Sequence, residues 1–373
     1  MSVSLADIAD IEFAGCRPEN QEIVEAVNSR VAAVLATGRV LQGREVDQFE
    51  TELALASGRK HAICVGSGTD ALFFSLKAME IGHGDEVLVP DLSFIATASS
   101  VLRAGARPVF VDVDESCNLD LDRAAARLTP RTRAILYVQL FGGMGDPAEL
   151  EAFGRKHGLV VLEDGAQSFG ARFAGRPCGS VGSVSALSFD PMKVLSAPGS
   201  GGAVLTDDPQ SARRVRRLRY HGRENGVYVE LGFNSQLPSI MAAVLSLKLT
   251  QQERWTERRK AIAAHFLATF ADLPVGFPNW PSSVDHVWHK FVLRCEARDD
   301  LAAWLQARGI PTMIHYPRPF HREALFGMDN DTTFPRADAH AASTLSLPIH
   351  AHLTPEQVDH ITQSVIDFFR ARR

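Results

Sequence analysis

Seven short apolar runs recur through residues 61–208, and their alternation with helix-like segments constrains the fold more than any other feature. They are HAICV (61–65), EVLVP (86–90), RPVFVDV (107–113), RAILYVQL (133–140), GLVVLED (158–164), SVSALSF (183–189) and GGAVLTDD (201–208). These runs read as buried strands. Between them, TDALFFSLKAM (69–79) sets Leu72, Leu76 and Met79 at helical spacing, and DRAAARL and DPAELEAFGRKH also read as helices. The pattern predicts an α/β domain whose largely parallel sheet is covered by helices. The last two runs follow each other with almost no helix between them, so they are expected to pair antiparallel.

With 373 residues the chain is too long for one ordinary core. Residues 1–250 are expected to form a large α/β domain that includes an N-terminal helical segment ending near Gly58. Residues 251–373 are expected to form a smaller α+β domain. A long helical run spans IMAAVLSLKLTQQERWTERRKAIAAHFLATF, followed by HKFVLRCE as a strand and DDLAAWLQARG as a helix. The final helix opens on Thr354, Pro355 and Gln357, which fit a capping box. Val358, Ile361, Val365 and Phe369 form its apolar face, and Arg370, Arg372 and Arg373 suit its C-terminal dipole.

Net charge is −5, which leaves no basic surplus for a nucleic-acid backbone. The five cysteines are scattered and form no CxxC pair, and HExxH is absent. Neither a disulfide framework nor a structural metal is expected, and reduced thiols in the cytoplasm are. MSVSLADIADIEF does not read as a signal peptide, and no apolar run is long enough to cross a bilayer.

Three stretches carry chemistry. In VGSGTDAL (65–72) a strand runs through Gly66, Ser67, Gly68 and Thr69 into a helix. That is either a tight turn or an anion site made of helix N-terminal N–H groups and hydroxyls. Gly66, Gly68 and Ala71 also match G-x-G-x-x-A, with Glu86 twenty residues on, as in a dinucleotide-binding unit. No GxxxxGK[ST] is present, which excludes a P-loop nucleotidase. In VVLEDGAQSFG, Asp164 ends an apolar strand, where it can cap a helix or present a fixed anion to a cationic ring nitrogen. Gln167 can reach the same ligand. In SFDPMKVLSAPGSGG, Lys193 precedes a glycine-rich turn at Gly199, Gly201 and Gly202. It is either a surface lysine or an amine for a Schiff base, and Ser188 can meet a phosphate. A phosphate cradle, an acid and a lysine together are the contacts that pyridoxal 5'-phosphate needs. The dinucleotide reading leaves Asp164 and Lys193 without roles.

At this point the chain resembles the DegT/DnrJ/EryC1/StrS sugar aminotransferases, pyridoxal-phosphate enzymes of fold type I. The likeness runs through GSGTDALFFSLKAMEIGHGDEVLVPDLSFIATASSVLRAGARPVFVDVD, LEDGAQSFGA, LSFDPMKVLSAPGSGGAVLTDD, LRYHGRENGVYVELGFNSQL, GIPTMIHYPRPFH and LSLPIHAHLTPEQ, in that order. The resemblance implies that Lys193 carries the cofactor and Asp164 pairs with its pyridine nitrogen. It sets Gln167 near the phenolic oxygen and Phe94 on the ring face. Ser67, Gly68, Thr69 and Ser188 would hold the phosphate. Asn234 would reach that phosphate from a partner subunit, which implies a homodimer. Tyr316 and His321 would lie near the sugar or its nucleotide.

The resemblance also implies the reaction. An amino group would pass, through the pyridoxamine form of the cofactor, from L-glutamate to a nucleoside-diphosphate keto-sugar. C4 is expected ahead of C3, on a 6-deoxyhexose or a pentose, for a natural product or a surface polysaccharide. Amination of a cyclitol ketone, an aromatising reaction and a non-catalytic pyridoxal-phosphate sensor are the alternatives. Some family patterns are altered. VHLYG reads VQLFG at Gln139, GDGG reads Gly199-Ser200-Gly201-Gly202, and NSRLD reads NSQLP with Gln236 and Pro238. One branch replaces the lysine with histidine and dehydrates its sugar; Lys193 sets this chain apart from it.

Overall fold

The computed structural model describes residues 11–327 and 333–372. Most of the N-terminal stretch and Arg373 lie outside them. The seven apolar runs form one sheet: β1 (His61–Val65), β2 (Glu86–Pro90), β3 (Arg107–Val111), β4 (Thr132–Val138), β5 (Val160–Asp164), β6 (Val184–Ser188) and β7 (Gly202–Thr206). The strand order is β1-β7-β6-β5-β4-β2-β3. β3, β2, β4, β5 and β6 run parallel, while β7 is antiparallel to both β6 and β1. The expected antiparallel pair is therefore present. Among these strands only Arg107 at the start of β3 and Arg133 near the start of β4 are exposed, which is why the runs are largely apolar on both faces.

Helices α1 (Cys16–Glu22), α2 (Val24–Thr37) and α3 (Arg44–Ala56) precede the sheet. α4 (Gly68–Ala78), α5 (Ala96–Ala104), α6 (Leu121–Ala125) and α7 (Pro147–His157) follow β1, β2, β3 and β4 in turn, and α8 (Pro209–Leu218) follows β7. Asp120, Asp146 and Asp208 cap α6, α7 and α8 through their carboxylates. The sequence reading did not single out α5 or α8. The long run after residue 240 is two helices, α9 (Ser239–Leu249) and α10 (Gln252–Thr269), rather than one. Thr250 donates its hydroxyl to the Leu247 carbonyl at 2.7 Å, and Gln251 N–H turns to Lys248. Local bonding of this kind competes with the helical ladder and breaks it.

A second core gathers around Phe266, Phe291, Leu301, Leu345, Ile361 and Val365, with Ile11 added from the N-terminal segment. Its elements are β8 (Phe291–Arg294), α11 (Arg298–Gln306), β9 (Thr344–Leu347) and α13 (Pro355–Arg370). β9 and the preceding α12 (Pro335–Ser343) were not anticipated. Phe320, Phe334 and Ala337 pack back into the core of the large sheet, so the C-terminal third also closes over that sheet.

The expected capping box is present at Thr354 and Gln357. Replacing Thr354 with alanine is expected to lower unfolding free energy by about 1 kcal/mol, read from urea titration.

Candidate active site

Register brings the three chemical stretches to one edge of the sheet. Ser188, Gly202 and Val65 are cross-strand partners, so the end of β6 lies beside the turn that leads into α4. Val138, Asp164 and Ala186 form the adjoining row. This is the carboxyl edge of the parallel strands, where open α/β sheets hold ligands.

The α4 turn is built for close approach. Ser67 is in extended conformation and its hydroxyl accepts from Asp70 N–H at 3.0 Å. The first-turn N–H groups of Gly68 and Thr69 lie ahead of the helical ladder and remain available to an anion. A Cβ on Gly68 would sit 2.6 Å from Ser188 Cβ and 2.9 Å from its hydroxyl. A Cβ on Gly202 would sit 2.5 Å from the Ser67 carbonyl. Only glycine lets these backbones meet. Ser235 pins the turn from behind: it accepts from Gly66 N–H at 2.9 Å and donates to Asp70 at 2.7 Å. Ser200 donates to the Gly66 carbonyl at 2.9 Å.

Two adjacent acids end β5 and point to opposite faces of the sheet. Glu163 accepts from Gly179 N–H, Val181 N–H, the Ser185 hydroxyl and Gln139 Nε2, and is fully buried. Gln139 also accepts from Gly145 N–H at 2.9 Å, so this departure from the family pattern is a framework residue. Asp164 has fewer partners, the Thr97 hydroxyl at 3.2 Å and Ala166 N–H at 3.1 Å. Burial raises its carboxyl above the usual range, against the pull of Ala166 N–H, Lys193 and Thr97.

Lys193 follows β6 in the turn 190–193, with its N–H on the Asp190 carbonyl at 2.9 Å. It keeps some surface, yet lies deep enough that burial lowers its amine below the ordinary lysine range. Asp164 and Asp190 oppose that shift. Gln167 is fixed at both ends of its amide, accepting from Phe141 N–H at 3.0 Å and donating to the Tyr316 hydroxyl at 2.9 Å. Phe94 and Tyr316 face each other with ring centroids 6.4 Å apart, and Phe94 is half exposed at the mouth.

Two further expected residues have contacts of their own within the chain. His321 is held by a buried acid: its Nδ1 lies 2.5 Å from Asp91, which also accepts its backbone N–H at 2.9 Å. Burial pushes Asp91 up to about 8 and His321 down, against the pull of Asp338 on the His321 ring. Asn234 is exposed, and its side-chain oxygen accepts from Gln236 Nε2 at 3.2 Å. Gln236 in turn accepts from Gln42 at 2.6 Å. Thr97 and Asp91 escaped the sequence reading. Thr97 was within reach of it, one helical turn after Phe94 in LSFIAT.

Glu86 ends the dinucleotide reading. It opens β2 at the far edge of the sheet, bonded to Arg107, Thr129 and Arg131 at 2.7 Å each. Burial works against its charge, yet these partners hold its carboxyl down at about 2.

Residues 21–366 match the DegT/DnrJ/EryC1/StrS aminotransferase family. The chain belongs to this family. It is 36% identical over 377 residues to the pleiotropic regulatory protein of Geobacillus stearothermophilus, covering 99% of each chain. It is 40% identical over 367 residues to the dTDP-3-amino-3,4,6-trideoxy-α-D-glucose transaminase of Streptomyces venezuelae, covering 97% of each. The crystal structure of S. venezuelae DesV in complex with a ketimine intermediate superposes with a TM-score of 0.93, at 40% identity, over 96% of this chain and 98% of that one. The Bacillus subtilis NtdA structure, which holds pyridoxamine phosphate, superposes at 0.91 with 27% identity, over 97% of this chain and 86% of that one. The protein is therefore an aminotransferase of fold type I that works with pyridoxal 5'-phosphate.

The residues present fit that cofactor. The cradle at Gly68, Thr69 and Ser188 suits its phosphate, and the under-partnered, buried Asp164 suits a cationic ring nitrogen. Substituting Gly68 with alanine is expected to weaken cofactor retention at least tenfold (~1.4 kcal/mol), because the added methyl meets Ser188. Equilibrium dialysis of the folded variant measures it.

Proposed function

We propose that the protein moves an amino group from L-glutamate to a keto carbon of a nucleoside-diphosphate sugar. The observation that carries this reading is Lys193, an amine lowered by burial on the same sheet edge as the buried Asp164. The S. venezuelae relative is named for a nucleotide sugar with nitrogen at C3, which supports the substrate class and puts C3 first to test, with C4 next. A 6-deoxyhexose is the first ring to try and a pentose the second. The product would enter a natural product or a surface polysaccharide.

The bound cofactor would supply an aldehyde for an amine and a ring that takes up an electron pair. Asp164 would hold the proton on the ring nitrogen. Lys193, its amine lowered by burial, would first hold the cofactor and then, once displaced, move a proton at Nζ as base and acid. Gln167 cannot swing, because both ends of its amide are bonded, and it would orient the ring oxygen. Phe94 and Tyr316 would wall the ring face, and Ser67, Gly68, Thr69 and Ser188 would take the phosphate. Asn234, exposed beside the Ser235 anchor, would complete the phosphate site of a partner subunit in a homodimer.

The G. stearothermophilus relative is named for regulation, which favours a second reading, a pyridoxal-phosphate sensor without turnover. One experiment separates the two. The cofactor-loaded protein is treated with L-glutamate and then with nucleotide keto-sugars and cyclitol ketones, while its visible absorbance is followed. An aminotransferase loses the yellow band with glutamate and regains it with a keto-sugar. A sensor shows no change with glutamate, and recovery with a cyclitol ketone alone would reassign the acceptor.

Lys193→Ala is expected to abolish multiple turnover. Asp164→Asn is expected to slow turnover by about 10²-fold or more while cofactor content falls far less. Normal turnover by either variant would remove that residue from its role.

A further inference from the structure

Lys290 directly precedes β8 and is only 5% exposed. The other deeply buried lysine, Lys248, has an acid and a hydroxyl: Glu19 at 2.7 Å and Ser196 at 3.1 Å. Lys290 has neither. Among the described residues no carboxylate pairs with its Nζ, which lies 4.7 Å from the centre of the Phe13 ring. A buried ammonium without an anion is costly to hold, so its survival in a fold calls for a reason.

Its surroundings place it in the wall of the site. Its N–H donates to the Phe141 carbonyl at 3.1 Å, and Phe141 N–H holds Gln167. Phe13 stacks on His315 at 5.9 Å, the neighbour of Tyr316. The charged and titratable groups that act on Lys290 are Lys193, Arg259, Cys16 and Asp190, with His289 and His315 alongside. Burial lowers both histidines, so they bring no negative charge. Arg259 is equally buried, and among the described residues its Nε and Nη1 have no hydrogen-bond partner. Glu19 acts on Arg259 but is paired with Lys248, and Asp164 and Asp190 act on Lys193, so among the described residues neither Lys290 nor Arg259 has a carboxylate of its own.

We propose that Lys290 Nζ is a subsite for a carboxylate carried by a reactant, and that the amino-acid donor brings it. The proposal rests on the aminotransferase reading. Every amino-acid donor carries an α-carboxylate, and glutamate carries a second. An acidic sugar is the other source of the same group.

Burial, with Lys193 and Arg259 adding to it, lowers Lys290 to about 7. The amine is charged below that value and neutral above it, so carboxylate binding should weaken as pH rises. The probe is glutarate, a dicarboxylate with no amine to transfer, titrated by calorimetry into the cofactor-loaded protein. Wild-type affinity is expected to fall about tenfold between pH 6 and pH 8. Lys290→Met, which keeps the stem and removes the charge, should bind at least tenfold more weakly at pH 6 and show no such slope. Lys290→Arg should bind across the whole range, because its charge persists.

The two half-reactions identify the source. Weaker L-glutamate binding in Lys290→Met, with the keto-sugar unaffected, supports the donor. A loss confined to the keto-sugar keeps the carboxylate subsite and overturns its assignment to the donor. Unchanged binding of glutarate, L-glutamate and keto-sugar, or a wild-type glutarate affinity flat with pH, overturns the subsite. A wild-type protein that binds glutarate through Lys290 yet never reacts with L-glutamate would instead count against the donor named under the proposed function.

Discussion

A buried carboxylate with too few partners organises this molecule. Glu163 and Asp164 are neighbours in sequence, but the pleat of β5 sends them to opposite faces. Glu163 collects four donors and ties the β4 loop, the 179–181 turn and β6 into one block. Asp164 collects two and is left able to attract a cation. The first acid makes the strand end rigid, and the second uses that rigidity. An isolated charge in this position would neutralise itself by taking a proton, which is the direction burial drives Asp164. A cationic ring nitrogen reverses the balance.

The lysine turn depends on a second set of contacts, made from far away in sequence. Cys16 donates its thiol to the Pro191 carbonyl at 2.9 Å, and Glu19 accepts from the Ser196 hydroxyl at 2.9 Å. Both come from α1, and they grip the chain on either side of Lys193. Lys248 completes the cluster through Glu19. Removing one partner of such a buried pair costs about 3–5 kcal/mol, because the other charge is stranded. Helix α1 thus belongs to the machinery of the site although it contributes no atom to the chemistry proposed.

Much of this was legible in the chain. The apolar runs announced the sheet because strands buried on both faces cannot be polar, and all seven are present. Asp164, Lys193 and the Gly68 turn were legible because each sits at the end of such a run, where the sheet gathers its loops. The resemblance of six blocks in order supplied the cofactor, and the family match agrees with it. Other features stayed hidden for physical reasons. The break at Thr250 comes from one hydroxyl turned onto the backbone, which periodicity does not register. Asp91 and His321 are 230 residues apart, so their pairing exists only after folding. Lys290 sits beside an ordinary strand, and only its depth and its missing acid mark it out.

The proposed chemistry depends most on which lysine is the nucleophile, and among the described residues two have amines lowered by burial, Lys193 and Lys290. Borohydride reduction of the cofactor-loaded protein, followed by digestion and mass mapping, decides between them. The predicted result is a single reduced cofactor adduct on the peptide containing Lys193. An adduct on Lys290, or none on either lysine, would contradict the account.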